Sequence, residues 1–313
     1  MNPFFSVVIP LYNKEQEITD TISSVLAQTF ADFEVIIIND GSTDNSLNQV
    51  EKFSDKRIRI YTTENKGVSH ARNFGIKNAS AQYIAFLDGD DIWKPQHLHD
   101  LKSLIESYPN CGLYCKAYNK IKGQTIIDSQ YKDIPKNKKW DGLINDYFYH
   151  SVINSLASSS SVAIHKSIFE SVGYFNEDYN SGEDTDAWIR IALQYPTAFD
   201  NSVSVTHNLN AHHKLTNSLF SARRHMDLNS FSNEESKNAR LKTYLDLNRY
   251  AIAIQYKLEN ETTKSKSVYN TIEPKNLSLF QKQIYNCPKF VIKSILNFRN
   301  LLRTFHINLR LFR

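Results

Sequence analysis

The chain has 313 residues, 41% of them hydrophobic and 22% charged, and a formal net charge of +4. That length holds one large domain or one and a half to two ordinary ones, and the balance excludes a disordered or collagen-like chain. No run approaches the roughly 20 apolar residues that would span a bilayer.

Three cysteines, Cys111, Cys115 and Cys287, make no disulfide framework and no CxxC zinc pair. Reduced thiols in the cytoplasm are the expected state. The opening "MNPFFSVVIPLYNK" has no basic segment, and its short apolar run is broken by Pro10, so no export signal is expected.

Strand and helix patterns alternate through the first hundred residues. "FSVVIPLY" is a short β-rich run. "KEQEITDTISSVLAQTF" places Ile18, Ile22, Val25 and Leu26 at helical spacing. "FEVIIIND" is a continuous β-branched run, which suits a strand covered on both faces. "STDNSLNQVEKFS" reads as a helix capped by Ser42 or Thr43. "RIRIYTT" is a strand, "VSHARNFGIKNA" a helix and "QYIAFLD" a strand. "KPQHLHDLKSLIESY" is a helix with Pro95 in its first turn. This β-α repetition predicts a mostly parallel, doubly wound sheet flanked by helices, whose ligands sit at the carboxyl ends of the strands.

Residues 110–160 are less regular, with a Lys-rich loop near 132–139. "SSSVAIHKSIFESVGYF" reads as strand then helix, "GEDTDAWIRIALQY" as an amphipathic helix with acids at its start, and "SVSVTHNLNAHHK" as a strand and loop. From about 220 the chain reads as helical. We divide it at 1–220 and 221–313, the first part falling into halves 1–110 and 111–220.

The chemistry-bearing residues fall just after the strands. In "DGSTDNS", Asp40 is placed to accept hydrogen bonds from a base or ribose, although the stretch would also serve as a turn and cap. Arg72, in "NKGVSHARNFG", is a fixed fork of donors for a phosphate or for orienting a carboxylate; a solvated helix arginine is the plainer alternative. In "FLDGDD", Asp88, Asp90 and Asp91 repel one another. Two alternate carboxylates aimed at one point would hold Mg²⁺ or Mn²⁺, which would relieve that repulsion; acids decorating a helix start are the alternative. Asp91 stays open between a cap and an outer partner. "GEDTD" offers Glu183, Asp184 and Asp186, either as helix-start acids or with a general base among them. Among His207, His212 and His213, the pair at 212–213 is the candidate for a ligand, with His213 a third metal ligand.

The ordered set "SVVIPLYNKE", "VIIINDGSTDNS", "ENKGVSHARNFGIKNASAQYIAFLDGDD" and "GEDTDAWIRI" closely resembles glycosyltransferase family 2, strongly over residues 5–110 and moderately over 155–220. The resemblance implies a GT-A fold, Rossmann-like, with a nucleotide-binding front half and an acceptor-binding back half. It implies inverting transfer from a nucleotide-sugar, usually a UDP-sugar, with Mn²⁺ or Mg²⁺. Pro10 and Tyr12 would line the base pocket, the Tyr12 ring stacking on uracil, and Asp40 would bind base or ribose. Arg72 would sit near the nucleotide. Asp88 and Asp90 match the DxD motif, Asp90 as the metal ligand and Asp88 on the ribose side. Asp184 matches the catalytic base. The QxxRW motif of processive synthases is missing, so transfer of a single sugar to a glycan or lipid-linked acceptor is expected, in bacterial surface polysaccharide synthesis. The alternative is a catalytically silent module that binds sugar nucleotides or acts as a scaffold.

The tail carries its own charge. Residues 274–313 hold eight Lys/Arg and no acid. Removing those eight from the overall +4 leaves a net −4 for the rest. From 288 to 313, Val291, Ile295, Phe298, Leu302, Phe305, Leu309 and Phe312 form one stripe at helical spacing, flanked by Lys293, Arg299, Arg303 and Arg310. Three fates suit such a helix: packing on its own core, pairing with a second copy, or lying on the anionic inner face of the plasma membrane. Nucleic acid is not an expected partner, because no binding motif accompanies the charge.

Overall fold

The structure is a computed structural model, and it describes residues 2–135, 139–212 and 218–304. Ten strands form one sheet: β1 (Phe5–Leu11), β2 (Phe33–Asp40), β3 (Ile58–Thr63), β4 (Tyr83–Phe86), β5 (Ile92–Trp93), β6 (Leu113–Lys122), β7 (Thr125–Asp128), β8 (Asp141–Ile144), β9 (Val162–His165) and β10 (Thr197–Asn208). The main order is β3-β2-β1-β4-β9-β6-β10-β5, with β7 on β6 and β8 on β10. β3, β2, β1 and β4 run parallel to one another. Short β9 is antiparallel to both β4 and β6, and β10 is parallel to β6, so β3, β2, β1, β4, β6 and β10 share one direction. That is the α/β, mostly parallel architecture the sequence predicts.

Among the described residues, seven α-helices accompany the sheet: α1 (Ile18–Leu26), α2 (Ser46–Val50), α3 (Val68–Asn78), α4 (His97–Ser107), α5 (Tyr147–His150), α6 (Lys166–Val172) and α7 (Glu183–Ala192). All eight residues of β2 are buried, as a run with no polar alternation requires. Edge strand β3 alternates between half-buried and exposed instead. Close contact between α3 and the sheet depends on Gly75, where a Cβ would lie 2.4 Å from Val8 Cγ1 and 2.9 Å from Ile38 Cδ1.

The second half is stapled by a buried lysine. Lys116 on β6 donates to Asp200 on β10 at 2.5 Å, to Asp100 on α4 at 2.8 Å and to Ser202 at 2.6 Å. Three partners satisfy three ammonium protons, which is what allows the charge to sit in a core. Cys111 and Cys115 are buried free thiols, and burial pushes the Cys111 thiol up to about 11.

Two local expectations are revised. Ser42 and Thr43 do not cap α2; Asn45 holds the cap position, and Asp44 before it accepts from the Ser46 amide at 2.9 Å. Ser42 and Thr43 are spent on Asn13 of the β1 loop. Pro95 precedes α4 by two residues rather than lying in its first turn.

Beyond residue 231 the chain is helical: α8 (Ser232–Lys237), α9 (Ala239–Leu258), α10 (Thr262–Tyr269), α11 (Leu279–Asn286) and α12 (Lys289–Thr304). α9 ties the two parts together. Its Leu241, Tyr244 and Leu245 belong to the main core, while Tyr250, Ala253 and Ile254 belong to a smaller core with Ile284, Tyr285 and Ile292. The stripe read along the tail is split here. Ile292 is fully buried, with Ile295 and Leu296 beside it, whereas Phe298 turns outward together with Phe290. The side chain of Leu302 and residues 305–313 lie outside the described residues.

Candidate active site

Parallel order brings the carboxyl ends of β1, β2 and β4 side by side, so polar residues following each strand meet in one crevice. Pro10 lies opposite Ile38 in the last part of β1, and its carbonyl faces Gly89, where a Cβ would approach to 3.2 Å. Tyr12, just past the strand, is 41% exposed. Asp40 ends β2 and is buried. Its Oδ1 accepts from the Lys66 amide at 2.9 Å and Thr63 Oγ1 at 3.3 Å, and its Oδ2 from the Gly67 amide at 2.8 Å. Asp40 thereby shapes the turn that starts α3. The turn from β2 needs Gly41 at φ 70°, where a Cβ would meet the Asn65 amide nitrogen at 2.7 Å.

Arg72 rises from α3 into the centre and is only 3% exposed. Nη2 donates to Asp88 Oδ1 at 2.8 Å, and Nη1 to Glu183 Oε1 at 3.0 Å. The guanidinium also lies 5.4 Å from the Phe175 ring centroid, while its Nε has no partner among the described residues. Burial works against the Arg72 charge, but the Asp88 and Glu183 carboxylates outweigh it and raise the pKa further. Glu183 moves the other way from an ordinary carboxylate: burial, then the neighbouring Asp184 charge, raises it despite Arg72. Asp184, half-buried in the first turn of α7, accepts from the Thr185 amide at 2.6 Å and Thr185 Oγ1 at 3.2 Å.

The repulsion among the acids of 88–91 is answered separately for each one. Asp88 pairs with Arg72, Asp90 with Lys14 at 2.8 Å, and Asp91 with His207 at 2.5 Å. Asp91 is buried. Ser160 Oγ donates to its Oδ2 at 2.6 Å and the Asn208 amide to its Oδ1 at 3.0 Å, which lashes the turn to β10. His207 and its hydrogen bonds, followed by Ser160, hold the Asp91 carboxyl low against its burial. Ser160 Oγ also accepts from the Asp88 amide at 3.1 Å. Asp90 is pushed up to about 6, chiefly by burial and then by the Asp91 charge, which outweigh Lys14.

Asp88 and Asp90 fit a hard divalent cation. Each has one carboxylate oxygen that accepts no hydrogen bond from the described residues, and hard oxygens suit Mg²⁺ or Mn²⁺. No group of three or more His, Cys, Asp or Glu is arranged to hold a metal among the described residues. Two carboxylates are what such an ion takes from a protein when phosphates supply further ligands. His213 lies outside the described residues. His212 is largely exposed and pairs with Glu17 at 3.3 Å.

Lys14 and Ser160 carry no mark in the sequence, and His207 stood there as one of three histidines. Their partners among these acids lie 69 to 116 residues away, so no local pattern points to them. The pairing of Glu183 with Arg72 had one clue, the adjacent acids of "GEDTD".

This arrangement has relatives. The sequence model described as Glycosyl transferase family 2 matches residues 6–172. The chain belongs to glycosyltransferase family 2. A Haemophilus influenzae protein named an uncharacterized glycosyltransferase is 35% identical over 216 residues, covering 63% of this chain and 64% of that protein. Escherichia coli WfgD, a UDP-Glc:alpha-D-GlcNAc-diphosphoundecaprenol beta-1,3-glucosyltransferase, is 49% identical over 89 residues, 28% of this chain and 35% of that one. Against several curated rickettsial relatives, this family 2 chain spans 33% to 65% of their length. Crystal structures of S. aureus TarS residues 1–349 superpose with a TM-score of 0.57 at 21% identity, covering 87% of this chain and 90% of that one. That likeness establishes the shared fold.

Proposed function

We propose that this family 2 chain transfers a single sugar from a UDP-sugar to a hydroxyl of a glycan or lipid-linked acceptor, with inversion, in bacterial surface polysaccharide synthesis. The observation that carries the reading is Arg72. By bridging Asp88 and Glu183 it gathers the acids after β4 and the acids of α7 into one crevice. Support comes from WfgD, whose name gives a UDP-glucose donor and a lipid-diphosphate acceptor, and from TarS, solved with UDP and with UDP-GlcNAc.

In this reading Pro10 and the exposed Tyr12 ring form the base platform, with Asp40 building its floor. Asp88 and Asp90 would hold Mn²⁺ or Mg²⁺, which when bound offsets charge on the departing diphosphate. Asp184 takes the proton from the acceptor hydroxyl, whose pKa lies far above neutrality, as the new bond forms. Attack from the face opposite the diphosphate inverts the anomeric centre. Arg72 spends both Nη atoms on Asp88 and Glu183, so its contribution passes through those carboxylates. The test is UDP release from a panel of UDP-sugars with Mn²⁺ and extracted glycolipid. Release dependent on one sugar and on the extract is expected. Binding of UDP-sugars without release from any of them would instead identify a silent binding module.

The proposed workplace is the inner face of the plasma membrane. No helix of the described residues is long and apolar enough to cross it. Leu279 (78%), Phe280 (46%), Phe290 (70%) and Phe298 (56%) are exposed within 20 residues of a tail that carries no acid. Apolar side chains among lysines suit an anionic lipid surface, each basic residue adding about 1 kcal/mol. The full chain is expected to float with vesicles containing anionic phosphatidylglycerol and to be released by salt. Phe290→Glu with Phe298→Glu is expected to stay at the bottom. If those substitutions instead dissociate a dimer and leave flotation intact, the face belongs to a second copy.

A further inference from the structure

Lys14 is a side chain of this crevice that the proposed reaction does not use. Its ammonium donates to Asp90 Oδ2 and to the His212 carbonyl, both at 2.8 Å. Lys14 and Asp90 are each 12% exposed, so this is not a loose surface pair. The backbone around Lys14 is fixed: its amide donates to Ser46 Oγ at 2.6 Å, and the Asn13 amide to Ser42 Oγ at 3.2 Å. Beneath it, the lysine stem packs over Gly89 of "DGD", where a Cβ would lie 3.6 Å from Lys14 Cγ, an ordinary contact. On the far side the His212 amide donates to Glu17 Oε1 at 2.9 Å, closing a ring from the β1 loop through His212.

Asp88 pairs with the buried Arg72 of α3, and Asp91 with the His207 ring of β10. Lys14 reaches Asp90 from a loop at the mouth of the crevice. A divalent cation on the free oxygens of Asp88 and Asp90 would bring a second positive charge onto a carboxylate that already holds the Lys14 ammonium, and the two cations repel. We propose that Lys14 is the resident counter-ion of Asp90, which a divalent cation displaces, and that the freed ammonium meets the donor diphosphate. Lys14 is then a positioning residue that couples metal loading to donor binding. The second half of this statement rests on the reading of the crevice as a nucleotide-sugar site; the first half does not.

The experiment uses the full chain with Lys14→Met and Lys14→Arg. Mn²⁺ alone is titrated by electron paramagnetic resonance, and UDP by calorimetry in Mn²⁺ and in EDTA. Lys14→Met is expected to bind Mn²⁺ about fivefold tighter than the parent and, in saturating Mn²⁺, UDP about fivefold weaker, the range a single ion pair commands, whereas in EDTA, where Lys14 stays on Asp90, the two proteins bind UDP alike. Lys14→Arg, which keeps the charge, is expected to follow the parent in saturating Mn²⁺. Mn²⁺ affinity that is unchanged or weaker in Lys14→Met, or no Mn²⁺ uptake by either protein, overturns the exchange. Equal UDP affinity in saturating Mn²⁺ overturns the contact with diphosphate. If no protein binds UDP under any condition, the nucleotide-sugar reading and the diphosphate contact fail together, and the Mn²⁺ titration still decides the exchange. Melting temperatures of the variants exclude a folding defect as the cause.

Discussion

Asp184→Asn is expected to lower turnover by about 10²- to 10⁴-fold, the range that a positioned general base contributes, while UDP and UDP-sugar affinity stay at the parent level. The amide keeps the size of the carboxylate and can still accept from Thr185, so α7 keeps its start. What it loses is the ability to take a proton. The loss should therefore fall on kcat and not on donor binding. Glu183→Gln makes a contrast. Glu183 is buried against Arg72 and acts through it, so that change should disturb stability as well as rate. Steady-state UDP release beside calorimetric UDP binding separates the two. Turnover by Asp184→Asn within a few-fold of the parent would remove Asp184 from the role of base.

Arg72→Met is expected to cost about 3–5 kcal/mol of folding stability, the usual consequence of stranding buried charges. The magnitude follows from burial. An exposed helix pair such as Lys102–Glu106 contributes only about 0–1 kcal/mol. Arg72 is 3% exposed, and it neutralises Asp88 and Glu183 together. Methionine leaves Glu183 buried beside Asp184 with no cation. The sign of the pH dependence follows. Burial already raises the Glu183 pKa, and losing Arg72 raises it further, so above the ordinary carboxylate range the folded state holds a proton that the unfolded chain releases. Stability of the variant should therefore fall as pH rises through that window, and its deficit should be smaller near pH 5 than near pH 8. Urea unfolding of parent and variant at both values measures this. An equal deficit at both pH values would show that Glu183 is not the stranded charge. Arg72→Lys should fall between them, because an ammonium keeps the charge but cannot offer the fork that reaches both carboxylates.

Much of this was legible in the chain itself. The all-buried β2, the half-buried edge β3 and the helical spacing of α1 and α7 follow from residue order, because periodicity reports which faces meet water. The placing of acids after strands was equally visible. Ser42 and Thr43 misled because a hydroxyl before a helix caps it only when nothing competes, and here Asn13 competes from another loop. The tail stripe misled for a similar reason. A seven-residue spacing names a face, but α9 selected the face through Ile292, and left Phe298 outside.

The sequence by itself determined that a buried parallel strand ends in "DGDD" and that a second acidic group begins a helix near residue 183. Only the tertiary structure decided that each of the three acids after β4 has its own base: Arg72 from 16 residues away, Lys14 from 76 and His207 from 116. The reason is physical. Strand and helix patterns arise from neighbours in the chain, whereas an ion pair needs groups within about 4 Å. At these separations, which groups come that close is settled by the β3-β2-β1-β4 order and by where β10 returns to the turn after β4.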